Sequence, residues 1–272
     1  MNLPANVLKS LTSFPQIPVS LKVWGSISKQ MDANLQDLGD VLQMDPGLVA
    51  RVLAVANSAY CGGGTECTDI HEALFRIGLT QLLRILGIVS LKEVCAQDLT
   101  FYRLTHLDSL AYAGITSLLM EKLGPEIGMK APEAATIGML HGVGRGIIQH
   151  TLEQQSLAPA PYEGDLLQSY MWEEDKLTIN HAEVGMLYLR RYRFPESMLS
   201  VISHYVRPHN HPTNRDALLL YASAAHAQSF IRPAGECQAL VDEEYAALGI
   251  GREAFEGLRG LCEQYKAKVA LL

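Results

Sequence analysis

Histidine is the residue type of this sequence with the clearest capacity for metal chemistry, and three of its nine histidines are His141, His181 and His204. They lie in the segments GMLHGVGRG, NHAEVGMLYLRRYRFP and SHYVRP. Three imidazoles that leave one coordination position open can hold zinc and activate a bound water molecule. Spacing along the chain does not show that the three side chains converge, so each histidine also has a structural interpretation.

The structural interpretations follow from the neighbouring residues. Asn180 and Glu183 have the spacing of a capping box, which places His181 in a first helical turn where a neutral imidazole can simply hydrogen-bond. His204 lies at a predicted helix end and can interact with terminal carbonyls. His141 follows apolar residues and is predicted to be a satisfied core residue.

Sequence motifs for other catalytic chemistry are absent. Gly62-Gly63-Gly64 is followed by Thr65-Glu66 instead of the Gly-Lys-Ser/Thr of a phosphate-binding loop, and no G-x-S-x-G nucleophile elbow occurs. Gly142-x-Gly144-x-Gly146 has no predicted strand before it. We therefore predict that these glycines permit a tight bend and close helix contact.

Composition limits the class of protein and its partners. The chain has 272 residues, of which 48% are hydrophobic and 19% charged, so it can bury a substantial core. Its 22 Lys and Arg against 29 Asp and Glu give a net charge of -7, which argues against a nucleic-acid partner. No signal peptide and no apolar run of roughly 18 residues is visible, which predicts no membrane span. Together with five scattered cysteines, which suit a reducing compartment, this predicts a cytoplasmic protein.

The elements that must position these residues are helices, because helical periodicity recurs along the chain and sustained strand alternation does not. We predict an all-α, multi-helix bundle with an amino-terminal part at 1–100, a second part at 101–231 and a carboxyl-terminal packing extension at 232–272. The predicted helices of the second and third parts are Leu107 to Leu123, Pro132 to Leu140, Gly164 to Glu173, His181 to Arg191, Pro195 to His204, Asn214 to Phe230, Gln238 to Leu248 and Arg252 to Lys268.

The amino-terminal part contains a helical hairpin with an unusual turn. Asp45-Pro46 predicts the start of a helix that runs to Asn57-Ser58, whose short side chains can bond its last carbonyls. After the glycine run, Asp69 predicts the cap of a helix from Ile70 to Ile77, and a further helix is predicted from Thr80 to Val94.

The order of these elements resembles the HDOD family of bacterial signalling domains. The resemblance rests on the proline pair Phe14-Pro15 and Ile17-Pro18, the helix DPGLVARVLAVANSAY, the helix IHEALFRIG and the segment GMLHGVGRG, and it extends from about residue 11 to about residue 208. It implies an all-helical domain related to the HD metal-dependent phosphohydrolases but generally lacking their metal ligands.

The resemblance also assigns the positions of the former HD metal site. In this sequence they are occupied by Asp108, His141, Gly142, His181, His204 and Ser223. Glycine at 142 has no side chain to ligate a metal, and Ser223 replaces the closing aspartate. A two-metal centre is therefore not expected, and we predict no metal and no cofactor.

The predicted function is non-catalytic signal transduction, through a protein partner or a nucleotide signal. The seam between the amino-terminal part and the second part is the predicted interaction surface, with Asn57, Ser58 and Tyr60 as candidate binding residues. Asn57 and Ser58 have the alternative role of ending a helix. The main alternative function is a divergent HD-type phosphohydrolase that binds one metal ion through His141, His181 and His204.

Overall fold

The computed structural model describes residues 38–39, 42–43, 46–57, 67–94, 97–155, 159–232 and 240–270. In these ranges the regular structure is helical, with one isolated bridge between Leu99 and Leu104, so the all-α prediction is confirmed. The α-helices are α1 Pro46–Ala56, α2 Ile70–Val94, α3 His106–Leu123, α4 Ala131–Leu140, α5 Val143–Gln154, α6 Ser169–Leu177, α7 His181–Arg191, α8 Glu196–His204, α9 Arg215–Gln228, α10 Asp242–Leu248, α11 Arg252–Gly257 and α12 Arg259–Val269. Short 3-10 helices occupy Thr100–Tyr102, Gly124–Ile127, Leu166–Gln168 and Pro208–Asn210.

The first two helices form the predicted hairpin. Helix α1 buries Leu48, Val52 and Ala56 against α2. The backbone N–H of Glu72 donates to Asp69 Oδ1 at 2.9 Å, which confirms Asp69 as the cap of α2. Helix α2 is interrupted at Gly78, where φ is +74°, so its two segments correspond to the two helices predicted for this stretch.

Glycines let the central helices approach one another closely. A Cβ at Gly138 of α4 would lie 2.7 Å from the Cα atom of Ser117 in α3. A Cβ at Gly144 of α5 would lie 1.9 Å from the carbonyl oxygen of His181 in α7. These two crossings therefore require residues without side chains, and they bring α3 close to α4 and α5 close to α7.

Two helix predictions in this region were wrong. Helix α5 was not predicted, and Gly144 and Gly146 lie inside it. The predicted bend is present at Gly142, the N-cap of α5, and the predicted close helix contact is present at Gly144. Residues 164–173 do not form one helix. Asp165 instead caps a 3-10 turn by accepting from the N–H of Leu167 at 2.7 Å, and α6 follows from Ser169.

The carboxyl-terminal helices pack onto the rest of the bundle. Helix α12 lies against α3, where a Cβ at Gly114 would be 2.1 Å from the ring of Tyr265. The single helix predicted from Arg252 to Lys268 is two helices, α11 and α12, joined at Leu258. In the described residues, no helix is both long and apolar enough to cross a membrane.

Candidate functional site: a buried polar cluster

The junction of α4 and α5 carries the first histidine of the site. His141 follows the last residue of α4, and Gly142 is the N-cap of α5. The imidazole of His141 is fully buried, and its Nδ1 donates to the carbonyl oxygen of Gly138 at 2.7 Å. This bond fixes the tautomer, so Nε2 carries a lone pair. In the part of the chain that the structure describes, that Nε2 atom has no hydrogen-bond partner.

His181 has a different environment, because both of its ring nitrogens are engaged. Its Nδ1 lies 2.8 Å from Glu173 Oε2, and its Nε2 lies 2.6 Å from the hydroxyl oxygen of Tyr205. The capping box between Asn180 and Glu183 is confirmed, and it places His181 in the first turn of α7. The backbone N–H of His181 also donates to Glu173 Oε2 at 2.6 Å.

Glu173 collects hydrogen bonds from several elements although it is completely buried. Its Oε1 accepts from the hydroxyl of Tyr102 at 2.8 Å and from that of Ser169 at 3.1 Å. A buried carboxylate is tolerated only when it is paired and hydrogen-bonded. Here α6, α7 and the 3-10 turn at Thr100–Tyr102 supply those bonds, so Glu173 ties three elements together.

Arg145 supplies a permanent positive charge inside the protein. It is 1% exposed, and its Nη2 donates to the carbonyl oxygen of Leu166 at 3.0 Å. Its guanidinium lies over the rings of Tyr102 and Tyr112, at 5.9 and 5.5 Å from their centroids. A cation over an aromatic face is attracted by the ring quadrupole, which partly replaces lost hydration. His141, Arg145, Glu173, His181 and Tyr205 are hereafter called the buried polar cluster.

Tyr205 connects the two histidines. Its ring contacts His141 edge-on at 5.4 Å between centroids and His181 at 5.9 Å. Tyr112 contacts the other side of His141 at 5.0 Å. His141 is therefore enclosed by aromatic rings, whereas His181 is held by hydrogen bonds.

The protonation states of the buried polar cluster follow from burial and charge. Burial, with the added repulsion of Arg145, lowers the pKa of His141 to about 3. Burial and Arg145 also lower the pKa of His181, against the opposing attraction of Glu173. Burial alone would raise the pKa of Glu173, but His181 and Arg145 outweigh it and the pKa is lowered. Burial raises the pKa of Tyr205 to about 12. At neutral pH the cluster thus contains one carboxylate, one guanidinium and two neutral imidazoles, and the Tyr205 hydroxyl donates to His181 Nε2.

The other predicted positions of the former metal site lie outside this cluster. Asp108 is in the capping box of α3, where its Oδ2 accepts from the Thr105 hydroxyl at 2.7 Å. His204 stacks on His211 with ring centroids 3.7 Å apart and does not contact its predicted partners. Ser223 is fully buried on α9, and its hydroxyl has no hydrogen-bond partner among the described residues.

Two tyrosines close in sequence to predicted residues contact the histidines of the cluster. Tyr205 enters the cluster one residue after His204, which is about 100° further round the helix. Tyr112 faces His141 one turn after Asp108. Arg145, Glu173 and Tyr205 were not recognised from sequence. Arg145 could have been recognised, because it is a lone cation among glycines and apolar residues. Glu173 could not, because nothing in the segment WEEDK at 172–176 distinguishes it from the other acidic residues.

The cluster does not fit a metal ion. His181 has no free ring nitrogen, and Gly142 contributes no carboxylate, which leaves Nε2 of His141 as the available donor of these three positions. Arg145 adds a fixed positive charge beside the imidazoles, which repels a second cation. No group of three or more His, Cys, Asp or Glu that could hold a metal is present in the described ranges.

The candidate binding residues of the hairpin fall partly within the described residues. The Asn57 side chain accepts from the backbone N–H of Cys67 at 2.7 Å and donates to its carbonyl oxygen at 2.8 Å. It therefore clamps a residue ten positions away instead of bonding the last carbonyls of α1, as the sequence had suggested. Ser58 and Tyr60 lie outside the described residues.

The comparisons with known proteins agree with this architecture. A crystal structure of an HDOD domain protein of unknown function from Geobacter sulfurreducens is 16% identical, covers 97% of this chain and 96% of its own, and has a TM-score of 0.66. A "Putative phosphohydrolase" from Shewanella amazonensis SB2B is 20% identical over 97% of this chain and 98% of its own, with a TM-score of 0.64. A "Putative signal transduction protein" from Marinobacter aquaeolei VT8 is 17% identical over 99% of this chain and 66% of its own, with a TM-score of 0.71. At these identities the likeness concerns the fold.

Sequence comparison gives the family. An uncharacterized protein of Treponema pallidum (strain Nichols) is 25% identical over 210 residues, which are 76% of this chain and 40% of that protein, so the chain spans less than half the length of this relative. The model of the HDOD domain matches residues 14–208. Since this match covers most of the chain, the protein belongs to the HDOD family.

Proposed function

We propose that this protein is a non-catalytic HDOD signalling protein that acts by binding a protein partner. The observation that carries the proposal is the engagement of both ring nitrogens of His181, by Glu173 and by Tyr205. A histidine ligand must present a free nitrogen to the metal. A hydrolytic centre at this position would have to break two buried hydrogen bonds before it could form.

The charge of the cluster supports the same proposal. A metal-dependent phosphohydrolase uses its ions to lower the pKa of a bound water and to hold phosphate oxygens. In this chain Arg145 provides one buried positive charge and Glu173 one buried negative charge. We infer that these two opposite charges help to stabilise the junction of α5, α6 and α7, which would make the cluster a structural centre.

The size of the cavity at the cluster argues against a nucleotide at this place. The cavity lined by Tyr112, Gly142 and Arg145 has a volume of about 20 Å³. Pockets for drug-sized ligands are typically about 300 Å³ or larger. A nucleotide therefore cannot enter this cavity without rearrangement of α3 and α5.

The α1–α2 hairpin offers the better surface for a partner. Phe75 on α2 is 68% exposed, and Asn57 at the end of α1 is also exposed. Aromatic side chains are enriched among the residues that contribute most to protein interfaces. We infer that recognition occurs on this hairpin, whose exposed residues belong to the part of the chain with the family's helix pattern.

Metal content and hydrolysis test the absence of catalysis. The protein is purified without chelators or a metal-affinity tag after growth with manganese, iron and zinc, and metal per chain is measured together with hydrolysis of phosphate monoesters and cyclic dinucleotides. We expect near-zero metal and the same background hydrolysis in wild type, His141→Ala and the exposed control His106→Ala. About one ion per chain with hydrolysis, both lost in His141→Ala and kept in His106→Ala, would overturn the proposal.

Cross-linking tests the location of the partner surface. A photoreactive amino acid is placed at Phe75, and in a matched variant at Met171 of α6, which is also exposed at 53%. We expect a discrete cross-linked product from position 75 in cells, and none from position 171. Equal products from both positions, or none from position 75, would contradict recognition by the hairpin.

A further inference from the structure

Helix α2 changes the direction of its buried face at Gly78. The buried residues before the kink are Ile70, Ala73, Leu74 and Ile77, and the described buried residues after it are Leu82, Ile85, Leu86 and Val89. Since successive helical residues are about 100° apart, the centres of these two faces would lie about 120° apart on an uninterrupted helix. A straight α2 would therefore turn one set of apolar residues away from the side on which the other is buried.

The backbone of Gly78 supplies this change of direction. Its φ of +74° and ψ of 168° form a combination that is available essentially only to glycine. A Cβ at residue 78 would meet nothing within 4 Å, whereas a Cβ at Gly144 would overlap α7. Conformation, and not lack of space, is therefore the reason that residue 78 must be glycine.

The first segment of α2, from Ile70 to Ile77, belongs to the hairpin. The two hydrogen bonds between the Asn57 side chain and the backbone of Cys67 tie the start of α2 to the end of α1. Phe75 lies three residues before the kink and is 68% exposed. A rotation of the backbone at Gly78 would therefore move Phe75, together with the start of α2, relative to the second segment of the helix.

We propose that Gly78 is a positioning residue for recognition, because its conformation sets the direction in which the hairpin presents Phe75 to the partner. The partner in this statement rests on the proposed function. The effect of residue 78 on the direction of the hairpin does not, so it can be measured in the protein alone. A residue that favours negative φ at this position should straighten α2 and move Phe75 with the first segment.

A distance measurement tests the direction of the hairpin in the full-length protein. Spin labels are introduced as unnatural amino acids at Ala54 of α1 and Gln154 of α5, which are both exposed. In Gly78→Ala we expect the distance between the labels to shift by about 4 Å or more, since the eight-residue first segment is about 12 Å long and would tilt by more than about 20°. The matched control is Gly128→Ala, where φ is +91° and a Cβ also meets nothing within 4 Å, and it should keep the wild-type distance. An unchanged distance in Gly78→Ala would overturn the proposal.

Cross-linking from position 75 tests the consequence for recognition. The yield per folded protein should fall several-fold when Gly78→Ala is added and should stay at the wild-type level with Gly128→Ala. Both substitutions place a side chain at positive φ, so they carry the same kind of backbone penalty and differ in their location. A shifted distance with an unchanged yield would overturn the role of Gly78 and leave the proposed function standing. A wild type without any product would overturn the proposed function and, with it, the role of Gly78 in recognition.

D-alanine at residue 78 keeps the proposal testable if Gly78→Ala does not fold. Cys67 and Cys95 flank residue 78, so the full chain can be assembled by ligation at these two native cysteines around a synthetic segment. A D-residue favours positive φ, so it should keep the wild-type distance between the labels. It should also raise Tm by about 1–4 °C, because it restricts the unfolded chain without straining the folded one. A shifted distance, or a Tm below that of the ligated protein with glycine, would overturn the proposal.

Discussion

The buried polar cluster and the α1–α2 hairpin use polar side chains in opposite ways. In the cluster, Glu173 and His181 are fully buried and hydrogen-bonded to each other. In the hairpin, Asn57 bonds the backbone of Cys67 while remaining exposed, and Phe75 presents an apolar face to solvent. The first arrangement is suited to stability and the second to recognition. The family resemblance, in contrast, assigns the histidines of the first to a former metal site.

This difference gives separate expectations for the two regions. Substitutions in the cluster should act mainly on folding, because a buried charge that loses its partner is costly. Substitutions in the hairpin should act mainly on binding, because exposed hydrogen bonds contribute little to stability. The comparison fails if cluster variants fold normally or if hairpin variants unfold the protein.

Glu173→Ala has the largest expected effect. It leaves the Arg145 charge without its buried counterpart and removes the acceptor of the Tyr102 and His181 bonds. We expect a loss of about 3–5 kcal/mol in the free energy of unfolding, measured by urea denaturation. The matched control is Asp175→Ala on the same helix, whose carboxylate is exposed and pairs with Lys176. The control should cost less than about 1 kcal/mol. A Glu173→Ala loss no larger than the control would show that the cluster does not stabilise the fold.

Gly144→Ala tests the helix crossing that positions the cluster. The new Cβ would meet the carbonyl oxygen of His181 at 1.9 Å, so α5 and α7 must move apart. We expect a loss of about 2–3 kcal/mol in the free energy of unfolding. Gly260→Ala in α12 is the control, because its Cβ meets nothing within 4 Å, and it should be neutral or stabilising by up to about 1 kcal/mol. Equal effects of the two substitutions would contradict the crossing.

The sequence predicted the helical class and several helix limits because those depend on local chemistry. The capping box at Asn180 and Glu183 and the helix from His181 to Arg191 were both correct, since a cap needs only residues three positions apart. The interruption of α2 at Gly78 lies between the two helices predicted for this stretch, Ile70 to Ile77 and Thr80 to Val94. Helix α5 was missed because glycine lowers helix propensity, and only packing against α7 explains why Gly144 is helical.

The membership of the cluster could not be predicted because it depends on tertiary contacts. Glu173 and Tyr102 are hydrogen-bonded although they are 71 positions apart in sequence, and no local pattern in either segment predicts this contact. His204 has the expected residue type, but the rotation of α8 points Tyr205 into the cluster. His141 was correctly predicted to be buried in the core, although only one of its nitrogens is satisfied by a described residue.

The free energy of unfolding measured at acidic pH tests whether His141 is buried in its neutral form. Because burial lowers the pKa of His141 from 6.5 to about 3, the unfolded chain binds a proton that the folded chain does not in this window. Its contribution to stability is complete above pH 6.5 and is lost as the pH falls toward 3, by up to about 1.4 kcal/mol per pH unit. His141→Phe keeps a ring at this position and should flatten the slope of unfolding free energy against pH between about 6 and 4. Tyr112→Phe, which leaves His141 in place, should keep the slope, and a wild-type slope in His141→Phe would contradict the assignment.

Asn57→Ala has the smallest expected effect on stability, and it tests directly whether Asn57 contributes to recognition. It removes the two bonds to Cys67, but water can replace them at an exposed position, so the cost should be about 1 kcal/mol. Asn57→Asp retains the acceptor for the Cys67 N–H and loses only the donor, so its cost should be smaller. Both values follow from urea denaturation.

The cross-linking yield from position 75 then separates the two roles of Asn57. With a cost of about 1 kcal/mol, a protein of ordinary stability remains almost entirely folded, so a purely structural Asn57 would leave the yield unchanged. If the clamp shapes the recognition surface, the yield should fall several-fold in Asn57→Ala and less in Asn57→Asp. An unchanged yield in Asn57→Ala would limit Asn57 to joining α1 and α2, and the recognition proposal would then depend on Phe75.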